Sequence, residues 1–235
     1  MAKRGKKYLE KSKLIEPGKR YILNDAISLV KKTSLSKFDG TVDLSIKLNI
    51  DPKRSDQQVR GVVSLPGGTG KNIRVVVIAK GEKIKEAESA GADFAGGDDL
   101  IEKISKGWAD FDVTIATPDV MSAVGKLGKV LGQKGLMPNP KTGTVTFDVG
   151  RVVKEFKAGK IEYKTDKTGV IHAPLGKISF SEEKISSNLS AVLDAVSKSK
   201  PSGVKGTLIK SITLSATMGP AVKVDASKLL GQINN

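Results

Sequence analysis

Two kinds of strand are written into one chain. Val42, Leu44, Ile46, Leu48 and Ile50 alternate with Asp43, Ser45, Lys47 and Asn49. A period of two is the mark of a strand with one buried and one polar face. Ile73-Arg-Val-Val-Val-Ile-Ala79 is different, a nearly unbroken β-branched run. Such a run suits a strand covered on both faces, as in a parallel sheet. The half-exposed type continues at Val59–Leu65 and returns after Gly159, at Ile161–Thr165, Val170–Ala173 and Leu208–Ala216. Between these stretches, strand and helix patterns alternate. Helices are expected at Lys83–Ala90, Asp98–Lys106, from Pro118 and at Arg151–Ala158. Short strands are expected at Ala92–Ala95, Phe111–Ala116 and Val145–Phe147. Alternation of this kind argues for βαβ units.

The predicted fold class is therefore α/β and α+β in two domains. A split α+β domain takes residues 1–66 and 160–235, and a three-layer, Rossmann-like α/β domain takes 67–159. Pro66, Gly67 and Gly68 on one crossing and Gly159 on the other would form the hinge, because short Gly/Pro connections absorb backbone rotation. Within the split domain, Asn24 is expected to cap a helix carrying Ala26, Ile27 and Val30. Asp166-Lys-Thr-Gly169 is a turn signal that predicts a hairpin between its flanking strands. Glu182–Ser197 carries Ile185, Leu189, Val192, Leu193 and Val196 on one helical face. Gly219-Pro220 is expected to end the strand marked by Leu208, Ile212, Leu214 and Ala216.

Charge narrows the class of partner. Forty Lys and Arg residues against twenty-five acids give a formal net charge of +15. A field of that sign favours polyanions. Lys3, Arg4, Lys6, Lys7, Lys11, Lys13, Lys19 and Arg20 crowd the start. Lys198, Lys200, Lys205, Lys210 and Lys223 lie in a late stretch without acids between Asp194 and Asp225, whereas Lys80–Asp112 is acid-rich. No apolar run approaches the ~20 residues of a membrane helix, and the basic start has no apolar segment after it. No membrane partner is therefore expected. The absence of cysteine excludes disulfides and thiolate chemistry.

Gly125 to Val145 combines glycines with Lys126, Lys129, Lys134 and Lys141, and has no acid. Val124, Leu127, Val130 and Leu131 fall at helical spacing, yet Gly125, Gly128 and Gly132 interrupt them. Each glycine costs a helix interior about 1 kcal/mol relative to Ala. Close approach of another backbone, protein or nucleic acid, would offset that cost. The alternative is a Gly-rich helix packed on a sheet and followed by a solvated basic loop; the residues leave both open. Met137-Pro138 and Asn139-Pro140 force an extended exit.

This stretch resembles the signature of the ribosomal protein L-one family. The resemblance extends to Lys-Arg-Gly-Lys-Lys-Tyr near the start, to Thr165-Asp-Lys-Thr-Gly-Val-Ile-His172 and to Ser215-Ala-Thr-Met-Gly-Pro220. It covers essentially the whole chain and suits the bacterial form. It implies a non-enzymatic constituent of the large ribosomal subunit, working without a cofactor or metal on the ribosome in the cytoplasm. The implied partners are large-subunit rRNA at the mobile side stalk, exit-site tRNA and the protein's own operon mRNA. The free protein would be a monomer.

By the same resemblance, RNA is expected to touch Lys37, Phe38 and Thr41, then Lys167, Thr168, Gly169 and His172, then Ser211, Thr217, Met218 and Gly219. Lys126, Lys129, Lys134 and Lys141 would form a secondary RNA or tRNA surface. Asp43 stands where many relatives are expected to carry Glu. Read without the resemblance, Phe38 is more simply a core residue closing a sheet edge. His172, the single histidine, has no evident catalytic or metal partners. Asp98-Asp99 begins a predicted helix, where acids meet the helix dipole.

The competing reading is a nucleotide-dependent α/β enzyme using Gly67-Gly-Thr-Gly-Lys71. The phosphate-loop pattern needs a Gly where Leu65 stands and Ser or Thr where Asn72 stands, followed by a helix rather than a strand.

Overall fold

A computed structural model of the protein describes residues 5–52, 54–201, 203–204 and 206–226, except the side chain at 55. Lys3, Arg4 and Lys205 of the basic ends lie outside the described residues. The chain forms two compact units. Residues up to Gly70 and from Ile161 onward make the first, and Lys71–Lys160 make the second.

The first unit begins with α1 (Lys6–Ser12) and α2 (Leu23–Thr33). Asn24 lies inside α2 rather than at its cap, which falls on Ile22 without a side-chain hydrogen bond. The helix depends instead on burial of Ala26, Ile27 and Val30. Strand β1 (Thr41–Leu48) buries every second side chain, from Val42 to Leu48. It is flanked by β7 (Val170–Lys177) and β8 (Ile209–Ala216), and β9 (Ala221–Val224) completes an antiparallel sheet in the order β7-β1-β8-β9. Helix α8 (Glu182–Lys198) and α2 pack on one face of that sheet. Ile185, Leu189, Val192, Leu193 and Val196 there meet Leu44, Ile46, Ile171, Ile212 and Leu214 in one core. Ser181 caps α8, its Oγ accepting from the Lys184 N–H at 3.3 Å.

One expectation about strand pairing in this unit is corrected. Strands β6 (Lys160–Lys164) and β7 flank the predicted turn but do not form a hairpin ladder. Strand β6 pairs with β2 (Arg60–Ser64), while β7 pairs with β1, and one bridge at Thr165–Ile171 joins the two. The turn chemistry holds, but the strands leaving it hydrogen-bond into different sheets while sharing one core. Gly219-Pro220 does end β8, and the chain then returns as β9, pairing Ser215 with Ala221 and Thr213 with Lys223.

The second unit has a parallel sheet in the order β4-β3-β5, from β3 (Val75–Ile78), β4 (Phe94–Gly96) and β5 (Val113–Ala116). Every residue of β3 is buried. Val76 and Ile78 face a core with α4 (Asp98–Ser105), α5 (Met121–Lys126) and α6 (Gly128–Gln133). Val75 and Val77 face the opposite core with α3 (Glu82–Ser89) and α7 (Val149–Lys157). Three layers result directly from a strand apolar on both sides. Asp98 and Asp99 occupy the first turn of α4. The strand expected at Val145–Phe147 shrinks to one bridge, Ala116–Val145, and Phe147 is exposed.

Within this sheet the Thr114 hydroxyl is buried and has no hydrogen-bond partner among the described residues. A buried polar group left unpaired costs about 1–3 kcal/mol. Thr114→Val is expected to stabilise the protein by about 1 kcal/mol, read as a higher urea midpoint; a lower midpoint would mean that the hydroxyl has a partner in solution.

Candidate nucleic-acid interface

The face of the first unit's sheet opposite α2 and α8 is polar, and its make-up is set by the strand register. Ser45 on β1 stands opposite His172 on β7 and Thr213 on β8, and Thr213 stands opposite Lys223 on β9. The next row runs Pro174, Asp43, Ser215 and Ala221. Lys47 pairs with Val170 and Ser211 at one end, and Thr41 pairs with Lys177 at the other. Thr41, Ser45, Ser211, Thr213 and Ser215 make the surface rich in hydroxyl donors and acceptors. Ser45, Thr213 and Ser215 escaped sequence reasoning. Their outward phase was legible, but the register that puts them beside His172 was not.

A loop group closes each end, about 20 Å apart along β1 at ~3.3 Å per residue. At the Thr41 end, the Thr217 Oγ accepts from the Thr41 N–H at 2.9 Å and lies 3.2 Å from the Thr41 carbonyl oxygen, which also receives the Thr217 N–H at 3.0 Å. The Thr217 hydroxyl is therefore engaged in holding two strand ends together. Next to it, Met218 sits at φ 63° and is 78% exposed. A non-glycine residue there is uncommon and mildly strained. Gly219 follows, where a Cβ would lie 3.2 Å from the Ala216 carbonyl oxygen.

Phe38 is 66% exposed, so the reading of it as a core residue is overturned. Its loop is anchored by its neighbours. Asp39 accepts from the Ser179 N–H at 3.1 Å and from its hydroxyl at 2.7 Å. That hydroxyl, above all, holds the Asp39 carboxyl below its ordinary value. A Cβ on Gly40 would lie 3.3 Å from Thr217 Cβ, so the Phe38 loop abuts the Met218 turn. Lys37 is exposed beside it.

At the Lys47 end, the Asp166 carboxylate organises the turn. Oδ1 accepts from the N–H groups of Thr168 and Val170 and from the Thr168 hydroxyl, each at 2.8 Å. Gly169 takes φ 75°, and the Lys47 ammonium donates to the Thr168 carbonyl. Lys167 stands at an exposed position. The His172 Nδ1 is 3.1 Å from the Ser45 Oγ, and its Nε2 is 3.7 Å from Asp166 Oδ2. The predicted contact residues thus gather at the two ends of one open face. Lys37, Phe38, Thr41, Thr217, Met218 and Gly219 share one end, and Lys167, Thr168, Gly169, His172 and Ser211 share the other.

The other predicted sites behave differently. In the glycine–lysine stretch the helix breaks at Leu127 into α5 and α6. A Cβ on Gly125, Gly128 or Gly132 would meet nothing within 4 Å. No neighbouring protein backbone among the described residues therefore offsets those glycines. Lys126, Lys129, Lys134 and Lys141 are exposed and make no ion pair among the described residues.

The hinge candidates are unequal. Pro66 is exposed, but the Gly67 N–H donates to the Oδ1 of fully buried Asn188 at 2.8 Å. The same side-chain amide donates through Nδ2 to the carbonyls of Gly68, at 3.0 Å, and Leu175, at 2.6 Å. With Gly67's donor consumed and β3 next in the chain, the loop has neither the free amide nor the helix of a phosphate cradle. Gly159, in the second unit, takes φ 112° after α7. Among the described residues no acid–histidine cluster suits a metal, and no helix is long and apolar enough to cross a membrane.

Two outcomes are expected. Asn188→Ala leaves three backbone groups, buried at Leu175 and half-buried at Gly67 and Gly68, without their partner, so stability should fall by about 3 kcal/mol, measured by urea unfolding. The Asp166 carboxyl is lowered to about 2, first by the Val170 N–H and then by the Thr168 hydroxyl. A depressed folded pKa gives stability that is present above the ordinary 3.8 and lost as pH falls towards about 2. The stability gap between the native protein and Asp166→Asn should therefore be full above pH 3.8 and close across that window.

Comparison with known families adds one finding. The family model described as ribosomal protein L1p/L10e family matches residues 30–220, which spans β1, the whole second unit, α8 and the Met218 turn.

Proposed function

The chain belongs to the ribosomal protein L1p/L10e family, and from that premise we propose how it binds RNA and how that binding serves translation. Membership makes it a structural ribosomal protein that binds large-subunit rRNA, in a family that is not one of enzymes. The finer reading assigns the rRNA to the open face of the β7-β1-β8-β9 sheet. The observation that carries it is the pair of exposed apolar side chains, Phe38 and Met218, at one end of a hydroxyl-rich face whose other end carries Lys167 and His172.

RNA is read by shape, 2′-hydroxyls, phosphates and stacking on unpaired bases. Phosphate contacts position the chain, and base contacts discriminate. Ser45, Ser211, Thr213 and Ser215 offer partners for 2′-hydroxyls. Lys37, Lys47, Lys167 and Lys223 supply charge for the backbone. Phe38 offers a stacking surface, and Gly219 keeps the Met218 turn close against Ala216. Thr217 acts as a positioning residue, since its hydroxyl is already bound to Thr41.

The split unit is thus the primary binder of stalk rRNA, and the exposed lysines of the α5–α6 stretch form a secondary surface for exit-site tRNA. Bare glycines on those helices admit a sugar–phosphate backbone close to the helix axis. Movement between the two binding functions would use the crossings between the units. Because Asn188 holds Gly67 and Gly68, rotation is assigned beyond Gly70 and near Gly159. Repression of the protein's own operon mRNA requires that the mRNA present the same shape to the same face. The free protein is taken as a monomer, working on cytoplasmic ribosomes.

The test is binding of the purified chain to a stalk rRNA fragment and to an unrelated structured RNA across a salt series. Phe38→Ala and Met218→Ala should each weaken stalk binding about tenfold without changing the salt slope, whereas Lys167→Ala should lower that slope by about one. Operon mRNA should displace the stalk fragment competitively. Equal affinity for both RNAs, lost steeply with salt, would reduce the interaction to counterion release and remove the assigned face.

A further inference from the structure

The second unit carries a corner that the rRNA reading leaves unused. An open pocket of about 440 Å³ is lined by Phe94, Leu100, Lys103, Lys106 and Trp108. Phe94 lies on β4, an outer strand of its sheet, and is 40% exposed. Trp108 is placed by the end of α4: Gly107 reverses the chain at φ 98°, and the Trp108 N–H returns to the Lys103 carbonyl at 3.2 Å. The two rings stand nearly perpendicular, at 85° with centroids 4.9 Å apart. Behind them, buried Phe111 tilts against Trp108 at 5.2 Å and fixes the indole. Two aromatic walls and the Leu100 side chain make an apolar corner that suits a flat ring.

Its charge is not that of an ordinary apolar patch. Lys103 and Lys106 make no ion pair among the described residues, and no acid lines the pocket. Several acids of this region are engaged elsewhere. Asp110 and Asp112 bind Arg74, and Asp93 binds the Val75 N–H and Lys157. The indole N–H makes no hydrogen bond among the described residues. A planar heteroaromatic ring joined to negative charge matches all of these features. An apolar peptide side chain would use the rings but not the two cations.

We infer that this corner binds an unpaired nucleotide of an RNA chain, with the base against Phe94 and Trp108 and the backbone phosphates at Lys103 and Lys106. The site shares no residue with the sheet face proposed for rRNA and stands or falls independently of it. It would add a base-stacking contact to the second unit, whose glycine–lysine helices offer charge but no exposed aromatic ring.

Trp108 is the only tryptophan, so its fluorescence reports from this corner alone. Titration of the full chain with a single-stranded hexa-adenylate should give saturable quenching. Phe94→Ala and the Lys103→Glu/Lys106→Glu double variant should weaken the apparent affinity about tenfold, with unchanged circular dichroism and unchanged binding of the stalk rRNA fragment. Phe38→Ala should leave the quenching intact. Non-saturable quenching, equal affinity in the lysine variant, or loss of the signal in Phe38→Ala would each overturn the assignment. So would stronger binding of an uncharged apolar dye than of the RNA that is insensitive to lysine reversal, which would mark a protein-docking face.

Discussion

Strand β1 is hydrogen-bonded on both edges to strands from the far end of the chain. Val42 pairs with Gly176 on one side and with Ala216 on the other. Neither neighbour is local, so the first unit cannot close until the chain has passed through the second and come back. The entropy of closing a loop grows only slowly with its length. A self-contained unit between β2 and β6 therefore adds little to the cost of bringing the ends together. That one pairing also sets the two surfaces of the sheet. Its apolar phase meets α2 and α8, and its polar phase, which neither helix covers, becomes the open face.

The loops of the proposed RNA face are bound to the two ends of this same strand. Thr41 is tied to Thr217, and Lys47 reaches the Thr168 carbonyl. The exposed side chains therefore stand on rigid supports, even though they are themselves in loops. Phe38 and Met218 leave apolar area in water, and Met218 adopts a backbone conformation that side chains disfavour. Local strain of this kind costs roughly 1 kcal/mol or more and persists where the surroundings hold it. Here Asp39, Gly40 and the Thr41–Thr217 bonds are those surroundings.

The second unit obeys a different rule. Its β3 strand is apolar on both sides, so alternate residues feed two cores and helices must cover both faces. The bare glycines of α5 and α6 then stand out. They lie at or next to the helix ends, a Cβ on any of them would meet nothing within 4 Å, and the lysines beside them are exposed. The aromatic corner at Trp108 lies in the acid-rich stretch, where net charge along the sequence hides two lysines that line one pocket.

Sequence was informative wherever a pattern is local. The period of two in β1, the unbroken run of β3 and the apolar stripe of α8 each identified an element and its buried side, because side-chain direction tracks backbone geometry residue by residue. Turn chemistry was legible too, since Asp166 and Gly169 act within a few residues of one another. Where the strands go after a turn was not legible: β6 turns to β2 rather than to β7. Nor was the exposure of Phe38, whose residue type speaks for a core. The order of residues dictated which side of each element is apolar and how charge is distributed along the chain. Folding alone set the register that puts Ser45 beside His172 and Thr213, the meeting of the Phe38 and Met218 loops, and the clamp of Asn188 on Gly67. Those depend on contacts between residues far apart in the chain, which no local period encodes.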